Sequence, residues 1–142
     1  MLSTQPQGSS PRRIAIFRAL QLGDLLCAVP ALRALHAAVP RADIIFVGLP
    51  WTQEFVDRFA HYFTGFIEFP GYPGLPERAQ QLARIPEFLS TMQHANFDVA
   101  IQLHGSGTLT NPLVSLFGVR PETTQCRDAQ EPSSQIVEKG EV

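Results

Sequence analysis

Residues 13–49 constrain this chain more than any other stretch. Ile14-Ala15-Ile16-Phe17 is apolar at every position, as in a strand buried on both faces. Gly23-Asp24 interrupts the pattern. Leu25 to Val39 then carries apolar residues at steps of three or four, and Asp43-Ile44-Ile45-Phe46-Val47-Gly48 is a second strand-like run. Strand, helix, strand in that order is a β-α-β unit, and its strands lie parallel in one sheet. Open parallel sheets bind ligands beyond the carboxyl ends of their strands. Asp24, the one carboxylate between the two runs, falls just past such an end and is the first candidate for chemistry.

The same alternation continues. The first helix presents Leu25, Val29, Leu32, Leu35 or His36, and Val39 inward, with Pro30 either in its first turn or bending it. A second helix starts at Pro50 with Trp51, Phe55, Phe59 and Tyr62 or Phe63 on one face, a stripe that reads as core. Phe66 to Phe69 is a short third strand, and Pro70 to Pro76 a rigid loop rich in Pro and Gly. Glu77 to Ala95 reads as an amphipathic helix kinked at Pro86, with Leu82, Ile85, Leu89 and Met92 inward. Phe97 to Leu103 is a fourth strand, followed by the turn His104-Gly105-Ser106-Gly107 and a helix to Phe117 that Gly118 terminates. Four β-α pairs predict an α/β fold with a Rossmann-like parallel sheet.

Charge and cysteine usage narrow the function classes. Residues 13–120 carry eight Arg against eight Asp and Glu, so this body is neutral and offers no electrostatic footprint for nucleic acid. Residues 121–142 are polar and net −3, with five scattered apolar residues in no period, and residues 1–12 are rich in Ser, Gln and Pro. Both ends are expected to be disordered. Ten of the eleven basic residues are arginine, which suits phosphate and carboxylate recognition but follows equally from coding composition. Cys27 reads as a small core residue and Cys126 lies in the tail; with four scattered His, the sequence offers no metal cluster and points to a reduced compartment. The leader lacks the apolar core of a secretory signal, and the longest apolar tract is too short to span a bilayer.

Individual features admit more than one reading. Asp24 can cap the first helix, a contribution of about 1 kcal/mol, or serve as a general base. The small residues Gly105, Ser106 and Gly107 after His104 can cradle an anion on exposed backbone N–H groups, or simply form a tight strand-to-helix turn. His104 can shuttle a proton or contact an acceptor. Arg18, closing the first strand, can meet a phosphorylated ligand or pair with an acid. Arg78 and Arg84 fit a solvated helix face. A dinucleotide fingerprint is missing after the first strand.

The run from Arg13 to Leu35, with Arg18 closing the strand, then Leu22-Gly23-Asp24, an apolar pair and Pro30-Ala31-Leu32-Arg33-Ala34-Leu35, resembles the opening of glycosyltransferase family 9, the lipopolysaccharide heptosyltransferases. The likeness continues through Pro40 to Ile44 and resumes at Phe97 to Gly107 and Leu116 to Arg120. It implies a GT-B architecture, with residues 13–120 as the Rossmann-like acceptor domain, and a metal-independent, inverting transfer with Asp24 as base. Arg18, Gly23, His104, Gly105, Ser106 and Gly107 become the acceptor-binding set, and Gly23 sits in the Leu-Gly-Asp motif itself. The implied partners are a lipid-linked or saccharide acceptor and a donor-binding domain, on this chain's continuation or a separate polypeptide. The ADP-heptose donor is expected only with that domain. The implied location is the cytoplasm, with at most peripheral contact at the inner face of the plasma membrane. Two departures stand out: Leu20 replaces a common Gly, and the likeness stops at Arg120, so a chain without the donor half is expected to be truncated and inactive by itself. The other class of function open to it is a non-catalytic domain that binds a sugar, a phosphate or a protein partner.

Overall fold

The computed structural model describes residues 10–19, 22–75, 79, 81–104 and 108–119. The elements run β1 (Arg13–Phe17), α1 (Leu22–Ala38), β2 (Asp43–Gly48), α2 (Thr52–Arg58), β3 (Gly65–Glu68), α3 (Ile85–His94), β4 (Val99–Gln102) and α4 (Thr110–Ser115), with a 3-10 turn (Leu82–Arg84) leading into α3. The four strands form one sheet in the order β3-β2-β1-β4, and every neighbouring pair is parallel. Arg13 pairs with Asp43, Ile14 with Val99, and Ile45 with Gly65.

Successive strand side chains face opposite ways, and β1 divides its residues accordingly. Ile14 and Ile16 join Leu25 and Leu32 of α1 and Phe55 and Val56 of α2. Ala15 and Phe17 join Phe88 and Met92 of α3 and Leu113, Val114 and Phe117 around α4. The two faces follow from handedness. Right-handed crossovers from β1 to β2 to β3 advance one way and put α1 and α2 on one face; the return to β4 runs the other way and puts α3 on the opposite face.

Several sequence expectations shift here. Gly23 and Asp24 do not break the pattern: α1 already starts at Leu22, so Asp24 is the third helical residue and lies in the first turn, past the capping position. Pro30 sits in the interior of α1, where the Leu26 carbonyl has no amide to accept from. Cys27 is exposed and not core. It stands two residues from buried Leu25, about 200° round the helix. Trp51 precedes α2 and is 40% exposed, while Thr52, Phe55 and Val56 are buried in its place.

The third helix begins eight residues later than expected, at Ile85. Pro86 falls in its first turn, where a missing N–H costs nothing, so it starts the helix instead of kinking it. Leu82, expected inward, lies in the 3-10 turn at 61% exposure, and Phe88 and Met92 form the buried stripe. Arg84 is exposed and pairs with Glu68 at 3.0 Å. α3 ends at His94 with Ala95 as its cap, and Asn96 beyond it adopts a φ of 52°. Beyond α4 the amides of Leu116 and Phe117 reach back three residues, and Gly118, at φ 69°, turns the chain away. Arg78, Leu20 and the tail from Arg120 onward lie outside the described residues.

Candidate functional site

In the order β3-β2-β1-β4 the chain moves away from β1 on one side and returns on the other. The strand order therefore reverses between β1 and β4, and a crevice at such a reversal is where open α/β sheets take ligands. The residues that follow these two strands are Arg18 and Ala19 from one side, Leu103 and His104 from the other.

A polar network closes this edge. The ladder runs past the strand ends, with Leu103 N–H donating to the Phe17 carbonyl at 3.0 Å and Arg18 N–H to Val47 O at 3.1 Å. The Ala19 amide donates to Nδ1 of His104 at 3.2 Å. A main-chain N–H can only donate, so Nδ1 holds a lone pair and the neutral ring carries its proton on Nε2. His104 follows a strand end yet is buried in the core, its ring 5.7 Å from that of Phe17. Its own amide donates to Oε1 of Gln102. The Gln102 amide in turn donates to Thr110 Oγ1 at 2.8 Å and to Asn111 Oδ1 at 3.1 Å, and the Thr110 hydroxyl donates to the His104 carbonyl at 3.0 Å. Ala19, Gln102, His104, Thr110 and Asn111 thereby tie the end of β4 to the exit of β1 and the start of α4.

Arg18 is half-buried in this edge. Its Nη1 donates to the Leu103 carbonyl, and its Nε is buried with no acceptor. Among the described residues no acid pairs with Arg18, and the Leu103 carbonyl alone holds the cation. Gly48 makes room for the Arg18 main chain: a Cβ there would stand 2.9 Å from the Arg18 carbonyl and 2.6 Å from Phe46 Cε1. Gly23 is the opposite case. A Cβ at Gly23 would meet nothing within 4 Å, so no packing requires glycine in this first helical turn, where it costs about 1 kcal/mol relative to Ala. Asp24 beside it is exposed and has no hydrogen-bond partner among the described residues. Leu22 and Leu26, at 53% and 50% exposure, flank it on the same helix.

Of the residues read from the sequence, the structure brings Arg18 and His104 together through Leu103 and Ala19, and leaves Gly23 and Asp24 open to solvent on the first turn of α1. Gly105, Ser106 and Gly107 lie outside the described residues. The sequence reading missed Gln102, Thr110 and Gly48. The signal for Gln102 was a lone amide ending an otherwise apolar strand. Among the described residues, no group of three His, Cys, Asp or Glu is arranged to hold a metal ion, and no helix is long and apolar enough to cross a membrane.

Neither a protein-family model nor a curated protein matches the sequence. Solved structures do match the fold. One is a glycosyl transferase of family 9 from Veillonella parvula, with a TM-score of 0.60 and 20% identity over 76% of this chain and 30% of that one. Another is the E. coli heptosyltransferase WaaC, solved with ADP-2-deoxy-2-fluoro heptose, with a TM-score of 0.55 and 18% identity over 86% of this chain and 44% of that one. The chain thus spans less than half the length of either. The Rossmann-like parallel sheet expected from the sequence is the observed fold, and these glycosyltransferases share it.

Proposed function

We propose that residues 13–120 are the acceptor-binding domain of a heptosyltransferase-like glycosyltransferase. The observation that carries this reading is the β1/β4 reversal point, where a half-buried Arg18 and a braced His104 adjoin a helix start bearing an exposed carboxylate. The likeness in fold to heptosyltransferase WaaC supports the same reading. Arg18 neutralises an anionic group of the acceptor, and Gly23 lets the saccharide approach the backbone. His104 holds the β1 exit in place, and Gly105, Ser106 and Gly107 receive a further anionic group. Leu22 and Leu26 suit a lipid-linked acceptor, taken up by a cytoplasmic protein in peripheral contact with the inner membrane face.

In the reaction, Asp24 takes the proton from the attacking acceptor hydroxyl. The oxygen bonds to the anomeric carbon of an ADP-heptose donor from the side opposite the diphosphate; the bond to the diphosphate breaks, ADP departs with the electron pair, and the configuration inverts. The donor must be held by a second domain, because much of the rate enhancement of such a step comes from fixing both reactants in line. This 142-residue polypeptide alone is therefore expected to bind acceptor without turnover.

The test is a titration of the chain with a lipid A–Kdo acceptor, followed by amide spectra, beside an assay of heptose transfer from ADP-heptose. Shifts at Ala19, Asp24 and His104 without product support the reading. Absence of acceptor binding overturns it, and so does robust transfer by this chain alone. Acceptor binding that persists while Asp24→Asn leaves transfer unchanged in a mixture with a donor domain indicates a non-catalytic binding domain.

A further inference from the structure

A cavity also opens away from the carboxyl edge. A furrow of about 710 Å³ opens toward the other end of the sheet, between β2, β3 and one flank of α3, and its volume is that of a small-molecule site. The length of β1 separates the two edges, about 16 Å for five residues.

Gly65 heads β3 and keeps the floor open: a Cβ there would touch only Ile45 Cγ1, at 3.7 Å. Ile45 and Ile67 supply an apolar base. Glu87, Ser90 and His94 line the wall from one face of α3, at steps of three and four. Arg13, which heads β1, closes the end. Its guanidinium carbon sits 5.8 Å from the centre of the Phe97 ring, and its Nε is buried with no acceptor. Asp98, the acid beside it, turns Oδ2 to the main-chain amides of Arg12 and Arg13 at 2.8 and 3.0 Å. Among the described residues no hydrogen bond or ion pair reaches the Arg13 guanidinium. His94 Nδ1 lies 2.7 Å from the Ser90 carbonyl, which can only accept, so Nδ1 carries a proton and Nε2 of the neutral ring offers a lone pair.

The lining thus presents an unpaired cation at one end, acceptors for hydroxyl protons on the wall and an apolar base. A bare anion would leave the acceptors unused, and an uncharged sugar would leave Arg13 unpaired. We propose that this furrow is a second binding site, independent of the carboxyl edge, for a monosaccharide phosphate: the phosphate on Arg13, sugar hydroxyls donating to Glu87 and His94 Nε2, and the ring's apolar face on Ile45 and Ile67.

The test uses the full chain, with glucose 6-phosphate, glucose and inorganic phosphate as probes and amide shifts as the readout. Glucose 6-phosphate is expected to move Gly65, Ile67, Ser90 and His94, at lower concentration than inorganic phosphate; glucose is expected to move none of them. Arg13→Gln should weaken binding by about tenfold or more, the scale of one charge-assisted hydrogen bond. Gly65→Leu, which fills the floor, should abolish it in a chain whose spectrum stays folded. Arg18→Gln, at the other edge, should change neither result. Shifts confined to Ala19 and His104, an equal response to glucose, binding unaffected by Arg13→Gln or Gly65→Leu, or no response at millimolar glucose 6-phosphate would each overturn the assignment.

Discussion

At the carboxyl end of β2, a Cβ on Gly48 would stand 2.6 Å from the Phe46 ring and 2.9 Å from the Arg18 carbonyl; at the amino end of β3, a Cβ on Gly65 would find only Ile45, at 3.7 Å. The two edges of the sheet are built to different tolerances. The carboxyl edge is closed by hydrogen bonds among Ala19, Gln102, His104 and Thr110, whereas the amino edge opens into the furrow beneath α3. The furrow and the strand topology therefore point to opposite ends as places where ligand binds. They are reconciled if the carboxyl edge is one wall of a cleft between domains, since one wall alone is a surface and encloses no volume. On that reading, rigidity at the carboxyl edge matters more than depth.

The largest effect expected on this contrast comes from Phe17→Ala. Phe17 is buried at the end of β1 with its ring 5.0 Å from Phe69, 6.1 Å from Phe117 and 5.7 Å from His104. Truncation should cost about 3–5 kcal/mol, measured by urea unfolding. It should also speed exchange of the Ala19 amide more than that of amides in α3. Equal acceleration at both edges would show that the carboxyl edge has no separate rigidity. His104→Leu should cost less, about 1–3 kcal/mol, because it keeps apolar contact with Phe17 but leaves the buried Ala19 N–H without an acceptor. Nitrogen NMR of the parent should find Nδ1 of His104 unprotonated; a proton there would remove the argument.

The two glycines give the contrast its sign. Gly48→Ala should destabilise by about 1–3 kcal/mol, the usual cost of overpacking. Gly65→Ala should stabilise by about 0.4–1 kcal/mol, since neither clash nor left-handed backbone opposes it and the unfolded chain loses freedom. Paired melting curves would decide it, and a shared sign would mean that the amino edge is packed as tightly as the other.

How far such detail was legible in the sequence depends on the range of the forces involved. β2 starts and ends where its apolar run does, and α1 presents the periodic stripe, because strand and helix periodicities are local and cores enforce them. The start of α3 was not legible. The series Leu82, Ile85, Leu89, Met92 fits a helix as well as Phe88 and Met92 do, and only the fold shows that Pro86 lies in the first turn. The candidate site was half legible. Arg18, Gly23 and Asp24 follow from the position of a strand end, but the burial of His104 depends on Ala19, Gln102 and Thr110 reaching it across the sheet, a partnership that no spacing reveals.

Asp24→Asn is expected to be the mildest change to stability and the sharpest separation of structure from chemistry. The carboxylate is exposed in the first turn of α1 with no partner among the described residues, so its neutral isostere should lose only the attraction of the helix amino end, about 0.3–1 kcal/mol and less at high salt. The proposed role as base is what the substitution isolates at this position. Transfer measured in the presence of a donor domain should then fall by at least about 100-fold, the lower bound for removal of a general base, while acceptor binding and the melting curve hardly move. A large loss of stability would instead make Asp24 a structural residue of the helix start, and the carboxyl edge would keep its rigidity without its proposed base.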